Sequence, residues 1–186
     1  LELIEQLGWR VPDVIVYPTG GGVGLIGIAK ALAELRELGW IGDRLPRLVV
    51  AQAAGCAPIV AAFTAGADDA APWPDPHTVA YGLNVAAPLG ARQVLAALRW
   101  TAGTAVAVAD ADALAAQADC ARAEGLLVCP EGGAALHAVR RLRADGWLGA
   151  DEEVVVLNTG TGLKYPEVLS VDPPVLDADD DLPPPR

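Results

Sequence analysis

Residues 14–27 of the chain read VIVYPTGGGVGLIG, an apolar run that breaks into glycines and then resumes. This pattern predicts a buried strand over Val14–Tyr17 and a helix from Val23 to Leu38. Four of the five residues 20–24 are glycines, so the backbone between the two elements can turn tightly and approach a ligand. The unpaired N–H groups and the partial positive charge of a helix that begins near Val23 would point at the same place. The segment therefore predicts an anion site, typically for phosphate, that needs no lysine or arginine.

The glycine segment has three other interpretations. Residues Gly22–Gly27 match the Gly-x-Gly-x-x-Gly spacing of dinucleotide sites, but such a site needs an acidic residue at the end of the next strand. The strand predicted over Leu48–Gln52 ends without one. A nucleoside triphosphate loop is excluded because Ile28, and not lysine, follows the last glycine. Glycines that merely turn a strand into a helix would account for one or two of the four.

Short β-branched runs alternate with alanine-rich helical segments along the chain, which is typical of a parallel sheet covered on both faces. The predicted fold class is therefore α/β. Further strands are predicted over Leu48–Gln52, Thr104–Ala109, Leu126–Cys129 and Val154–Asn158. Further helices are predicted over Pro58–Ala65, Arg92–Thr101, Asp112–Glu124 and Ala134–Ala144. The proline- and aspartate-rich stretch between Gly66 and Pro88 predicts an exposed loop long enough to serve a site.

The two ends of the chain differ in character. It opens with apolar residues at helical spacing and contains no methionine, so we expect a fragment that begins inside a helix. After Pro166 the sequence becomes acidic and proline-rich, which predicts a disordered tail. We therefore expect a domain over 1–166 and a tail over 167–186.

Composition excludes several classes of partner. The chain has 186 residues, 53% of them hydrophobic, and 13 basic against 24 acidic residues give a net charge of -11. This charge disfavours nucleic acid and anionic membranes, and no apolar run approaches the roughly 18 residues of a membrane span, so we expect a cytoplasmic protein. The three cysteines, Cys56, Cys120 and Cys129, lack the spacing of a disulfide framework or zinc site, and we expect buried free thiols and no metal site.

Four stretches resemble one enzyme family in the same order along the chain. They are PTGGGVGLIG at 18–27, VAQAAGCAP at 50–58, EGLLVCPEGGAA at 124–135 and NTGTGLK at 158–164. Together they resemble the threonine synthases, which are pyridoxal-phosphate enzymes of fold type II in the tryptophan synthase β-like family. The resemblance covers about Leu1 to Tyr165. It implies a three-layer αβα fold with a mostly parallel sheet, of which this chain would be the C-terminal part of the large cofactor-binding domain.

The same resemblance implies the site residues and the cofactor, pyridoxal 5'-phosphate. Its phosphate would be held by the backbone amides of residues in the glycine segment, namely Gly20, Gly21, Gly22, Val23 and Gly24. The hydroxyl of Thr159 would lie against the pyridine nitrogen, although from the residues alone it could equally satisfy turn amides. Glu131 and Gly132 would line the pocket near the ring, and the alternative for Glu131 is a cap on the following helix.

Family members form a Schiff base through a lysine that precedes the glycine segment. Here only Lys30 and Lys164 exist, and neither lies in the matching position. We expect Lys30 on the surface and a structural or electrostatic role for Lys164. His77 and His137 have no serine or cysteine partner at a recognisable spacing, which predicts surface or core placement. The chain is therefore expected to hold no catalytic residue and to be inactive without a missing N-terminal half.

The resemblance implies a fragment of an enzyme that converts O-phospho-L-homoserine and water to L-threonine and phosphate. The alternatives are a threonine or serine dehydratase-like lyase of the same fold, or a non-catalytic remnant that binds a phosphate ligand. The expected partners are a small amino-acid substrate and, as in the family, a second copy of the protein.

Overall fold

The computed structural model describes residues 1–169, so all but the first three residues of the predicted tail, 167–186, lie outside the described part. The strands are β1 (Val14–Pro18), β2 (Arg47–Ala53), β3 (Thr104–Val108) and β4 (Val154–Val156). The helices are α1 (Glu2–Gln6), α2 (Val23–Glu37), α3 (Pro58–Thr64), α4 (Ala91–Trp100), α5 (Asp110–Glu124) and α6 (Pro130–Ala144). Short 3-10 turns cover Tyr81–Leu83, Gly162–Lys164 and Pro166–Val168.

The four strands form one parallel sheet in the order β3-β2-β1-β4. In the register, Val14 pairs with Arg47 on one side and with Val154 on the other. The chain leaves β1 towards β2 and later returns to the opposite side of β1 as β4. The carboxyl ends of β1 and β4 therefore flank the point where the strand order reverses, which is where open α/β sheets bind ligands.

Alternation along the strands divides the core into two layers, because successive side chains of a strand point to opposite faces. Ile15, Leu48 and Val50 pack with buried residues of α2, α3 and α4. Val14 and Val49 pack on the other face with buried residues of α5 and α6. The three-layer αβα arrangement implied by the resemblance is therefore the observed one.

The predicted strand over Leu126–Cys129 is wrong. Only an isolated antiparallel bridge joins Val128 to Thr161. The carbonyl of Val128 accepts from the side chain of Gln117 at 2.7 Å, and Cys129 already serves as the N-cap of α6. The apolar run thus leads directly into the N-cap of α6. This also explains why α6 begins at Pro130, four residues before the predicted Ala134.

The remaining predicted elements are present with shifts at their ends. For example, β4 ends at Val156 and not at Asn158, and α5 begins at Asp110. Cys56 and Cys129 are buried free thiols, as expected, whereas Cys120 is half-buried. Among residues 1–169 no cluster of metal-ligating side chains occurs, and no helix is long and apolar enough to cross a membrane.

Candidate active site

A cavity of about 340 Å³ opens at the carboxyl ends of β1 and β4, within the range of about 300 to 1,000 Å³ that is usual for small-molecule sites. Its wall combines the glycine segment, the Tyr81–Leu83 turn, the start of α6 and the residues that follow β4. The lining residues are Tyr17, Pro18, Gly20, Gly21, Gly22, Val23, Gly24, Gly82, Leu83, Cys129, Glu131, Thr159, Gly160, Lys164 and Tyr165. The predicted loop thus contributes its turn to the cavity.

The glycine segment carries a row of unused donors. Gly22 is the N-cap of α2 with a φ of 94°, a left-handed conformation that favours glycine. The amide of Thr19 donates to Ala51 and that of Ile26 to Gly22, but the six amides of residues 20–25 donate to no group in the described part of the chain. Such a row at a helix N-terminus binds an anion, because the donors and the helix dipole act on the same point.

Close contacts explain three of the four glycines at positions 20–24. A Cβ on Gly20 would overlap the carbonyl oxygen of Gly82, and one on Gly24 would overlap the Tyr17 hydroxyl. A Cβ on Gly22 would come within 2.7 Å of a Val94 methyl group. The glycines therefore serve packing as well as the amide row.

Glu131 lies in the first turn of α6 and is only 5% exposed. Its Oε1 accepts hydrogen bonds from the amide of Gly82 at 2.8 Å and from the hydroxyl of Tyr165 at 2.6 Å. Its Oε2 is buried and has no partner among the described residues. The cap of α6 is instead the sulfur of Cys129, which accepts from the amide of Gly132 at 3.4 Å. Of the two interpretations of Glu131, the geometry favours the pocket.

Two ionisable groups of the wall stay protonated at neutral pH. Burial raises the pKa of the Tyr165 hydroxyl, and its hydrogen bond to Glu131 raises it further. Burial also raises the pKa of the Cys129 thiol. Tyr165 is therefore a hydrogen-bond donor here, and Cys129 has none of the thiolate character of a reactive cysteine.

The other predicted residues lie as follows. Thr159 is exposed and lines the cavity, and its hydroxyl lies against the Cys129 thiol. Gly132 lies behind the wall, where a Cβ would overlap the side-chain oxygen of Asn158. Lys164 is exposed at the cavity, whereas Lys30 forms an ion pair with Glu34 on the surface of α2.

Sequence reasoning missed Tyr17, Gly82, Cys129 and Tyr165 as wall residues. For Tyr165 a signal existed, because it directly follows the NTGTGLK stretch. Gly82 could be found only as a member of the long loop. Their contacts with the glycine segment and Glu131 depend on chain segments that are distant in sequence.

The donor set tests which ligand the cavity accepts. The amide row fits a phosphate group, and the carboxylate of Glu131 offers acceptors to a proton-bearing group elsewhere on the same ligand. Within the described residues, Glu131 and Lys164 are the charged groups of the wall. A phosphorylated ring with protonated polar substituents, such as pyridoxal phosphate, fits this arrangement.

Comparisons with known proteins agree. A sequence profile of the family described as "Pyridoxal-phosphate dependent enzyme" matches residues 1–160. The chain is 41% identical over 183 residues to the threonine synthase of Methanosarcina acetivorans, which covers 97% of this chain and 45% of that protein. It is 36% identical over 166 residues to the threonine synthase of Methanocaldococcus jannaschii, covering 89% and 41%.

A solved structure gives the same picture. The fungal L-serine ammonia-lyase of Rhizomucor miehei superposes with a TM-score of 0.68 at 26% identity, and covers 89% of this chain and 53% of that one. The chain thus spans under half the length of the two threonine synthases and about half of the lyase.

Proposed function

The chain belongs to the pyridoxal-phosphate-dependent enzymes, and we propose that within this family it forms the cofactor-binding part of a threonine synthase. The complete enzyme would convert O-phospho-L-homoserine and water to L-threonine and phosphate. The cavity carries this proposal, since the glycine segment with its free amides and the side chain of Glu131 line one space. The choice of threonine synthase within the family is supported by the 41% and 36% identities.

The amides of Gly20, Gly21, Gly22, Val23 and Gly24 bind the cofactor phosphate in this proposal. No described residue other than Lys164 supplies a positive charge to the cavity wall. Anion binding therefore depends on main-chain N–H groups and on the dipole of α2, as at other helix N-termini that bind phosphate.

Thr159 supplies a neutral hydroxyl to the ring nitrogen. It lies directly after the segment that leaves β4, at the same sheet edge as the glycine segment. A hydroxyl cannot hold the nitrogen protonated as a carboxylate would. The bound cofactor would therefore withdraw electrons from the amino-acid substrate less strongly.

The Schiff-base lysine comes from outside this chain. Lys30 lies in an ion pair on the exposed face of α2, and Lys164 follows the Thr159 turn at the mouth of the cavity. The chain by itself is therefore inactive, and the complete protein combines it with a lysine-bearing part. We also propose that the complete protein is a cytoplasmic homodimer that binds no nucleic acid, in line with the resemblance and with the net charge of -11.

The test is an assay of the complete protein that carries this chain, loaded with pyridoxal phosphate. Release of phosphate and formation of threonine from O-phospho-L-homoserine are expected. Deamination of threonine or serine to a 2-oxo acid, without threonine formation, would instead favour the dehydratase-like alternative. This alternative is supported by the likeness to the serine ammonia-lyase. Neither activity, together with retained phosphate binding, would favour the non-catalytic alternative.

A further inference from the structure

Tyr165 lies outside the four stretches that carry the resemblance, yet it makes a short contact in the cavity wall. Its hydroxyl donates to Oε1 of Glu131 at 2.6 Å. Its ring stacks on Tyr81 with 5.5 Å between the ring centroids and 26° between the planes. Tyr165 therefore holds both a side chain of α6 and the turn at Tyr81–Leu83.

Glu131 joins three segments that are far apart in sequence. Oε1 takes one hydrogen bond from Gly82 in the turn and one from Tyr165 after β4, while Glu131 itself belongs to α6. The Tyr81–Leu83 turn also lies close to the glycine segment, because a Cβ on Gly20 would overlap the carbonyl of Gly82. Glu131 thus links the turn beside the glycine segment to α6.

The two donors on Oε1 fix which oxygen remains available. Oε2 is buried, lies in a residue of the cavity wall and has no partner among residues 1–169. A buried acceptor without a donor is destabilising, and a ligand that brings an N–H or O–H group removes that penalty. The wall residues therefore combine free donors in the glycine segment with a free acceptor on Glu131.

Resting on the proposed function, we propose that Tyr165 is a positioning residue of the cofactor pocket. Through Oε1 of Glu131 it ties the Tyr81–Leu83 turn against the glycine segment, and it leaves Oε2 to accept a hydrogen bond from a proton-bearing group of the bound cofactor.

Two ligands and four variants test this in the complete protein that carries the chain. Inorganic phosphate reports on the amide row alone, whereas pyridoxal phosphate also reaches Glu131. The variants are Tyr165→Phe, Glu131→Gln, the double variant, and the control Thr64→Val, which removes an exposed hydroxyl outside the cavity wall. Each is titrated with both ligands, and thermal unfolding without ligand is recorded to confirm that the variant folds.

Tyr165→Phe keeps the ring stack and removes one donor, so we expect pyridoxal phosphate to bind about ten-fold more weakly. Inorganic phosphate should bind unchanged within about two-fold, since the amides that would bind it belong to the glycine segment and make no hydrogen bond to the turn or to Glu131. Glu131→Gln should weaken pyridoxal phosphate at least as much, because an amide N–H replaces one carboxylate acceptor. The double variant should lose less than the product of the two single losses, as expected for residues that act through one contact.

Other outcomes overturn the proposal. If Tyr165→Phe leaves pyridoxal phosphate binding unchanged, or weakens both ligands equally, Tyr165 has only a general packing role. If the affinity for pyridoxal phosphate in the double variant falls by the full product of the two single losses, Tyr165 and Glu131 act independently. If the unmutated protein binds phosphate but not pyridoxal phosphate, the proposed function fails first, and this inference fails with it.

Discussion

Gln52 donates a hydrogen bond from Nε2 to the carbonyl oxygen of Thr19 at 3.1 Å, and both residues are completely buried. The Oε1 of the same side chain accepts from the amides of Ile59 and Val60 at the start of α3, at 2.9 and 3.1 Å. One side chain of β2 therefore fixes the entry to the glycine segment and caps a neighbouring helix.

Replacing this side chain should lower stability. Gln52→Ala leaves one carbonyl and two amides without partners, so we expect the free energy of unfolding to fall by about 3 kcal/mol. Urea denaturation measures the change. The matched control, Gln93→Ala on the exposed side of α4, should change stability by no more than about 0.5 kcal/mol. Equal effects of the two substitutions would contradict the role given to Gln52.

Glycines of the same segment should differ in their tolerance of a methyl group. Gly20→Ala would drive a Cβ into the Gly82 carbonyl, which is backbone and cannot yield cheaply, so we expect phosphate binding to be lost. Gly27→Ala meets nothing within 4 Å and lies in α2, where alanine stabilises a helix by up to about 1 kcal/mol over glycine. Titration with inorganic phosphate distinguishes the two variants. Intact phosphate binding in Gly20→Ala would argue against a phosphate site at the glycine segment.

The role proposed for Thr159 can be separated from phosphate binding. Thr159→Val removes a hydroxyl at nearly constant shape, and the loss of one neutral hydrogen bond should weaken pyridoxal phosphate about five-fold. Inorganic phosphate should bind as before. Thr64→Val, at the end of α3, serves as the control because Thr64 lies outside the cavity wall. An unchanged affinity for pyridoxal phosphate would remove Thr159 from the site.

Lys164 should not form the covalent link to the cofactor. Borohydride reduction of the loaded complete protein, followed by peptide mapping, should find the modified lysine outside this chain. Lys164→Ala should weaken pyridoxal phosphate only a few-fold, roughly what an exposed charge contributes, and less at high salt. Lys30→Ala, which removes a surface ion pair, should have no effect. Loss of covalent labelling in Lys164→Ala would refute this assignment.

Acid should remove part of the stability through Glu152. The amide of Gly149 and the nearby Arg47 hold the pKa of this carboxyl below its usual 4.5. A lowered pKa in the folded state stabilises the fold above pH 4.5, and this contribution is lost as the pH falls through the folded-state pKa.

The Glu152 contribution is measured against Glu152→Gln. In urea denaturation from pH 7 to pH 3, the variant should be less stable than the unmutated chain at pH 7, and the two should converge below about pH 4.5. Asp151→Asn, at a neighbouring exposed carboxylate, controls for the loss of one negative charge. A difference that stays constant across the range would show that the pairing of Glu152 does not depend on its charge.

The sequence predicts the strands and helices wherever the local patterns agree with one another. Val14–Tyr17 and the helix after it are found because the apolar run, the glycines and the helical period agree. Leu126–Cys129 fails because an apolar run that packs against Gln117 and Gly160 resembles a strand until the tertiary contacts are known. The link between Glu131 and Tyr165 is equally invisible, since it joins residues that are 34 apart and carry no local signal.

The amide row has a consequence for titration. Main-chain N–H groups do not ionise under conditions in which proteins stay folded. The donors of the amide row are therefore the same at every pH at which the chain is folded. In the proposed site, the pH dependence of phosphate binding is therefore governed by the second ionisation of the phosphate itself, near pH 6. At this end of the pocket the ligand, and not the protein, carries the pH dependence of binding.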